Sequence, residues 1–307
     1  MIITSFLRNS RQLHPAFRSF STCHSVCQIA SNDAQPGKAR TEEFYANKLT
    51  QDPHNGVLVF NLNRPEVRNA ISKNLLKQFR ACLESARQDT AVRAIILRST
   101  TPGVFCSGAD LKERMTMREE EVAPFVANLR NLMADLYNFP VPTIAALDGM
   151  ALGGGLEMAL ACDVRVASST AKIGLVETKL GIIPGAGGTQ LLTRLVGPSR
   201  AKDLIFTGQV LDGAQAHAQG IVNHLVEQNS DGSAAYKKAL EVAEPWVLNG
   251  PIALRMAKVA INRGVEVDLE AGLKIEEGCY AQIVKTKDRL EGLAAFKEKR
   301  KPKFRGE

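Results

Sequence analysis

Glu157 and Glu177 stand twenty residues apart, and each sits beside glycines that leave backbone open to a ligand. Glu157 falls in the first turn of a predicted helix led by Gly153-Gly154-Gly155, among apolar Leu152, Leu156, Met158, Ala159 and Leu160. A carboxylate there is either a partner for the helix dipole or a buried acid held for chemistry. Glu177 lies beyond a strand, in Gly174-Leu-Val-Glu177-Thr. A helix amino terminus offers unpaired N–H groups and suits an oxyanion, and glycine lets a ligand approach that backbone closely. Either glutamate alone reads more simply as structural. Together, near an oxyanion site, they are what adding water across an activated double bond requires. One takes a proton from water and the other gives a proton to carbon. Crowding two carboxylates in an apolar cleft also raises the pKa of the pair toward neutrality.

Two other glycine clusters fail as nucleotide loops. Gly103-Val-Phe-Cys-Ser-Gly108 has the Walker A glycine spacing, but Ala109-Asp110 follows where Lys and Ser or Thr are required. Gly185-Ala-Gly187-Gly188-Thr-Gln190 has Gln where the third Rossmann glycine belongs.

The elements that must position these residues follow from periodicity. Residues 30–50 are polar and read as a linker. Alternation around Val57 and Val59 predicts a first strand, ended at Asn63-Arg64-Pro65. Leu75, Phe79, Cys82, Leu83 and Ala86 recur at helical spacing over 71–88. Strands are predicted at 92–97, 143–147 and 164–167, helices at 121–137 and around 157–161, and a long loop through Pro184. Strands alternating with helices give an α/β core over 41–249. Past Asn249 the strand signals cease, and charged amphipathic helices form a carboxy-terminal module over 250–307. A module that small packs on something else, plausibly a neighbouring subunit.

Three stretches carry a family resemblance: Ala-Leu-Gly-Gly-Gly-Leu-Glu-Met-Ala (151–159), Phe-Cys-Ser-Gly-Ala-Asp-Leu-Lys (105–112) and Gly-Ile-Ile-Pro-Gly-Ala-Gly-Gly-Thr-Gln (181–190). In this order and spacing the chain resembles the enoyl-CoA hydratase (crotonase) family over about residues 55–307. The resemblance implies a spiral of repeated ββα units with a helical carboxy-terminal oligomerisation module, assembled as a trimer or a dimer of trimers. It implies that Ala109 and Gly154 supply the backbone N–H pair of an oxyanion hole, that Glu157 activates water and that Glu177 protonates the α-carbon. Arg68 and Ala70 would run along the adenine and pantetheine of coenzyme A, and the segment 109–112, with Asp110, Leu111 and Lys112, would bind substrate. Asp110 reads better as fixing its loop than as joining the chemistry. Phe296 and Lys299 would reach a coenzyme A pocket, of this chain or of a neighbouring subunit, and Tyr280 would line the acyl end. A solvated face is an equal reading of the tail lysines. No metal or redox cofactor is implied, since coenzyme A is part of the substrate. Leu191 departs from the pattern, where Arg commonly follows Gly-Gly-Thr-Gln. The stretches 72–77, 174–184 and 287–292 narrow the resemblance to members whose acyl group carries a free carboxylate. A cation should then line the pocket, with Arg114, Arg130 and Arg194 as candidates.

The charge balance is basic, 39 Lys+Arg against 32 Asp+Glu, or +7. Arg8, Arg11, Arg18, Lys38 and Arg40 face a single acid, Asp33, in the first 40 residues, which therefore hold +4 of that total. An acid-free start rich in arginine and serine reads as a mitochondrial transit peptide, with Arg18-Ser-Phe-Ser as a matrix-peptidase site, or else as a disordered basic tail. The matrix is the expected compartment. No run of 18 apolar residues suggests a membrane span. On helix 71–88, Lys73, Lys77 and Arg80 share nearly one face and could track RNA phosphates. No aromatic platform accompanies them, and a solvated helix face is the default reading.

Overall fold

The computed structural model describes residues 41–307 and the backbone of the two-residue strand Ala30–Ser31. The predicted transit peptide and its cleavage site lie outside the described residues. In chain order the elements are strands β1 (Ala30–Ser31), β2 (Phe44–Lys48) and β3 (Val57–Leu62), helix α1 (Lys73–Gln88), and strands β4 (Ala94–Ser99) and β5 (Val104–Cys106). Helices α2 (Leu111–Met115) and α3 (Glu119–Tyr137) follow, then β6 (Thr143–Leu147), β7 (Met150–Leu152), α4 (Gly154–Leu160), β8 (Val164–Ser168) and β9 (Lys172–Gly174). The chain continues through α5 (Gly188–Val196), α6 (Pro198–Thr207), β10 (Leu211–Asp212), α7 (Gly213–Ala218), β11 (His224–Val226) and α8 (Ala234–Leu248). It ends in α9 (Pro251–Gly264), α10 (Leu269–Val284) and α11 (Lys287–Lys297).

The strands divide between two sheets, ordered β1-β2-β3-β4-β6-β8-β11 and β10-β9-β7-β5. Successive pairs β4–β5, β6–β7 and β8–β9 each give their first strand to the large sheet and their second to the small one. This is a spiral of ββα units, and each turn carries the chain from a central strand out to the same small sheet. The large sheet is parallel from β3 to β11 and buried on both faces, so its strands read as near-continuous apolar runs. Leu58, Phe60 and Leu62 face the main core, while Val57 and Val59 face the opposite way, in a second core with Ala235, Ala239 and Ala243 of α8. Asp148, just past β6, fixes α8 by accepting from the N–H groups of Ala235 (2.7 Å) and Tyr236 (3.0 Å).

The linker expected over 30–50 is a correction. Residues 44–48 pair antiparallel with β3, and Phe44 and Ala46 point inward on alternate positions. Phe44 stacks on Phe79 of α1 at 4.2 Å between ring centroids, with Phe60 set edge-on to both. Two buried apolar residues in a polar stretch are too few for periodicity to register; β3 partners 10 to 18 residues away make the strand. The three-residue strands of the small sheet also escaped sequence reading, being shorter than any repeat.

From Pro251 on, the described chain is helical. Lys258 ties α9 to the core through Asp163 (2.7 Å), and α10 packs back along α9 where Gly264 and Gly272 meet. No helix among the described residues is long and apolar enough to cross a membrane.

Candidate active site

Two N–H groups meet where β5 ends and α4 begins. Ile71 bridges to Ala109 in parallel register: the Ile71 N–H donates to the Gly108 carbonyl (2.8 Å), and the Asp110 N–H donates to the Ile71 carbonyl (3.1 Å). Both bonds use the residues flanking Ala109, so its own N–H is directed to the other side of that strand. Gly108 makes this turn with φ 99°, a left-handed value natural to glycine. Gly154 is the first residue of α4, where an N–H has no partner inside the helix. A Cβ built on Gly154 would lie 3.8 Å from the Ala109 nitrogen, so the two groups are neighbours. Their closeness depends on Gly155, whose Cβ would collide with the Cys106 carbonyl of β5. The amino end of α4 therefore sits directly on β5, with both donors beside one small volume.

Glu157 rises from the first turn of α4 and is buried. Its Oε1 accepts from the N–H groups of Ala186 (2.7 Å) and Gly188 (2.8 Å). Burial pushes its pKa above the ordinary value, against the pull of those two N–H groups and of the Arg130 charge. The glycine loop that failed as a nucleotide loop thus does hold an anion, an internal one. Glu177 opens a short 3-10 turn (Glu177–Leu180), is 9% exposed, and lies so that a Cβ on Gly153 would be 3.2 Å from its Oε1. Its Oε2 is buried and has no partner among the described residues. Burial first, then the negative charge of Glu157, push the Glu177 carboxyl up to about 7, although backbone N–H groups favour its charge. The two acids are therefore unlike: Glu157 has two N–H groups on one oxygen, and Glu177, with no partner on its buried oxygen, is pushed up to about 7.

Both line a cavity of about 1270 Å³ that also takes in Arg68, Ala70, Ala109, Asp110, Leu111, Lys112 and Gly154. Nine of the residues singled out from sequence thus share one space. Asp110 is a loop anchor there. It caps α2 by accepting from the Lys112 and Glu113 N–H groups, and pairs with Arg64 at 2.7 Å. Burial works against its charge, but the Arg64 hydrogen bond and the cap leave its pKa lowered. Arg114 and Arg130 are on the cavity wall; Arg194 is not, being spent on Glu266 at 2.7 and 2.9 Å. Tyr280, Phe296 and Lys299 also lie outside this cavity. Tyr280 is on α10, Phe296 on the last turn of α11 and Lys299 just past its end, and Phe296 is 87% exposed. The reach expected of them is not made within one chain, because the α9–α10 pair and α11 stand on other parts of the surface. The predicted RNA strip is partly neutralised: Lys73 is 3.6 Å from Glu121, and Arg80 pairs with Asp135 (3.0 Å) on α3.

Sequence reasoning missed several supports. Arg64 donates to the Ala70 carbonyl (2.9 Å) as well as to Asp110, so one guanidinium joins the two loops of the cavity mouth. Asn69, left-handed at φ 54°, donates to Ser99 Oγ and to the Phe105 carbonyl. Arg165, nearly fully buried, donates to the carbonyls of Cys162 (2.8 Å) and Ile221 (2.7 Å), pinning the far end of α4. Only Asn63-Arg64-Pro65 hinted at any of these, and only as a strand end.

Comparison with known proteins agrees with this geometry. The model of the enoyl-CoA hydratase/isomerase family matches residues 52–307. The chain is 56% identical to mouse (Mus musculus) mitochondrial methylglutaconyl-CoA hydratase over 270 residues, 88% of this chain and 86% of that one. It is 52% identical to mouse mitochondrial enoyl-CoA hydratase domain-containing protein 2, over 90% of this chain and 93% of the other. Among solved structures, the enoyl-CoA hydratase of Bacillus anthracis superposes with a TM-score of 0.82 at 44% identity, covering 86% of this chain and all of the other. A spiral of ββα turns, two N–H donors at a helix start and a pair of buried acids thus occur in a chain that belongs to the enoyl-CoA hydratase/isomerase family.

Proposed function

We propose that the chain adds water reversibly to a 2-enoyl-CoA in the mitochondrial matrix, with 3-methylglutaconyl-CoA as substrate and 3-hydroxy-3-methylglutaryl-CoA as product. The observation that carries this reading is the convergence of two unlike glutamates and two N–H donors in one cavity. The thioester oxygen would sit between the N–H groups of Ala109 and Gly154. Glu157 in its ionised form takes a proton from water as the water oxygen bonds to the β-carbon, while the Ala186 and Gly188 N–H groups hold its Oε1. The π electrons move toward the thioester, and negative charge collects on its oxygen, where losing one donor typically costs about 3 kcal/mol. Glu177, still protonated, gives its proton to the α-carbon, and solvent returns the proton from one acid to the other. Both glutamates being present favours hydration over the isomerisation or hydrolysis open to a site with one acid.

The methylglutaconyl substrate is supported by the naming of the mouse relative and by Arg114 and Arg130, two of the three candidate arginines, on the cavity wall. The alternative is a general short-chain enoyl-CoA hydratase of fatty-acid oxidation, in line with the other mitochondrial relative. Arg68 and Lys112 would meet the coenzyme A phosphates. Tyr280, Phe296 and Lys299 would contribute only across an interface, in a trimer or dimer of trimers. No metal or redox cofactor enters the reaction as proposed. RNA binding gains no support from a strip whose Lys73 and Arg80 already face acids of α3.

Loss of the conjugated-thioester absorbance, followed with methylglutaconyl-CoA and crotonyl-CoA side by side, tests the reading. Glu157→Gln and Glu177→Gln should each lower kcat by about 10²- to 10⁴-fold. Full rate in both variants, or isomerisation or hydrolysis in place of hydration, would overturn it.

A further inference from the structure

The cavity wall carries four cations, Arg68, Lys112, Arg114 and Arg130, and they are not equivalent. Arg68, Lys112 and Arg114 come from the loops and the short α2 around Ala70 and Ala109, beside the oxyanion donors. Arg114 has its guanidinium over the Phe125 ring at 5.3 Å. Arg130 comes from the middle of α3 and donates through Nε to the Gly185 carbonyl at 2.9 Å. Gly185 directly precedes Ala186, whose N–H holds Glu157. Arg130 is therefore the cation anchored on the loop that holds the water-activating acid, one residue from the Ala186 N–H that binds Glu157.

Substrate chemistry fixes where a terminal carboxylate must go. Water held by Glu157 reaches the β-carbon, and in a glutaconyl chain the carboxyl carbon is two bonds beyond that atom. A partner for it must lie near Glu157, past the β-carbon as seen from the thioester. An unpaired carboxylate there would also stand close to the Glu157 anion, an unfavourable placement of like charges in a partly dry site. A carboxylate takes a bidentate contact from two N–H groups of one guanidinium. The bond to Gly185 uses Nε and leaves the Nη1 and Nη2 edge for a ligand, and Arg130 makes no ion pair among the described residues. Its backbone anchor holds the guanidinium in place before substrate arrives, which reduces the ordering cost of the contact.

We propose that Arg130 is the specificity-determining residue for an acyl group ending in a carboxylate, which it holds through Nη1 and Nη2 while its Nε stays on Gly185. The proposal rests on the hydratase reading and adds the residue that would separate a carboxylated substrate from a plain short-chain one.

The test is a comparison of kcat/KM for methylglutaconyl-CoA and crotonyl-CoA in the full chain and in Arg130→Gln and Arg130→Lys. Losing a charge-assisted bidentate contact from a partly solvated side chain is costly, so in Arg130→Gln the methylglutaconyl value should fall about tenfold further than the crotonyl value, mostly through KM. Arg130→Lys keeps the charge but not the fork, and should recover part of that preference. Equal losses on both substrates in Arg130→Gln would reduce the residue to a clamp on the Gly185 loop and overturn the proposal. If the unaltered chain hydrates crotonyl-CoA but not methylglutaconyl-CoA, it is the substrate reading above that fails. Crotonyl-CoA turnover by the same preparations reports whether each variant has folded.

Discussion

At the scale of single residues, the division of labour between the two glutamates rests on a few contacts. Glu157 has two N–H groups on one oxygen, and Glu177 has a buried oxygen with no such partner. In the proposed reaction, ionising Glu177 removes the proton meant for the α-carbon, and its carboxyl is pushed up to about 7. Hydration kcat/KM in the free enzyme should therefore fall as pH rises through about 7, while the acid limb reports protonation of Glu157. Because the Glu157 charge is a secondary cause of the shift and burial the main one, Glu157→Gln should lower the Glu177 pKa only in part. Carboxyl-carbon NMR titration of Glu177 in both proteins checks this; a Glu177 that titrates at an ordinary carboxylate pKa would remove the proposed donor. The acids were legible because each lies in a contiguous motif. Arg130 on Gly185 and Arg64 on Asp110 are joined across 55 and 46 residues, and no local pattern records such pairs.

At the scale of elements, the seating of α4 on β5 sets the distance between the two proposed oxyanion donors, the N–H groups of Ala109 and Gly154. Gly155 is the contact point, and a methyl group there meets the Cys106 carbonyl and its Cβ. The α4 start must then shift away from β5 and carry Gly154 with it. Overpacking of this kind costs about 1–3 kcal/mol, and a displacement near 1 Å at reacting groups can cost about a hundredfold in rate. Gly155→Ala should therefore lower kcat by about a hundredfold with a modest fall in Tm; thermal unfolding and turnover measured together check both. An alanine variant with the parent rate would show that this contact does not set the donor geometry. The sequence marked α4 clearly, by a glycine triplet and an apolar run. It hid β2 and the small-sheet strands, which are held by strand partners and by the Phe44–Phe79 stack rather than by a pattern of their own.

At the scale of the whole molecule, α9–α11 leave apolar side chains outside the core, among them Ile261, Val265, Leu269, Leu273 and Leu293. Exposed apolar surface gathered on a few helices is what an obligate interface covers. Under the proposed assembly, sedimentation should show a species of three or six chains, and Leu269→Glu with Leu273→Glu should shift it toward monomer. A monomer with parent turnover would rule out any need for a neighbouring subunit. The helical end of the chain was legible because the strand signals cease after Asn249 while charged amphipathic patterns continue; what those helices cover is not written in one chain's periodicity.

The alternation of strands between the two sheets has a consequence for how the site comes into being. One turn of the spiral ends in Ala109, the next in Gly154 and Glu157, and the next in Glu177 and the amides of Ala186 and Gly188. A fragment that stops short of the last of these lacks Glu177 and the two amides that hold Glu157, so the pair of acids exists as a pair only once the final turn docks. The complete site is thus a property of the finished spiral. Ligand that binds the complete site draws the folding equilibrium forward by about 2.7 kcal/mol at a hundredfold excess over Kd.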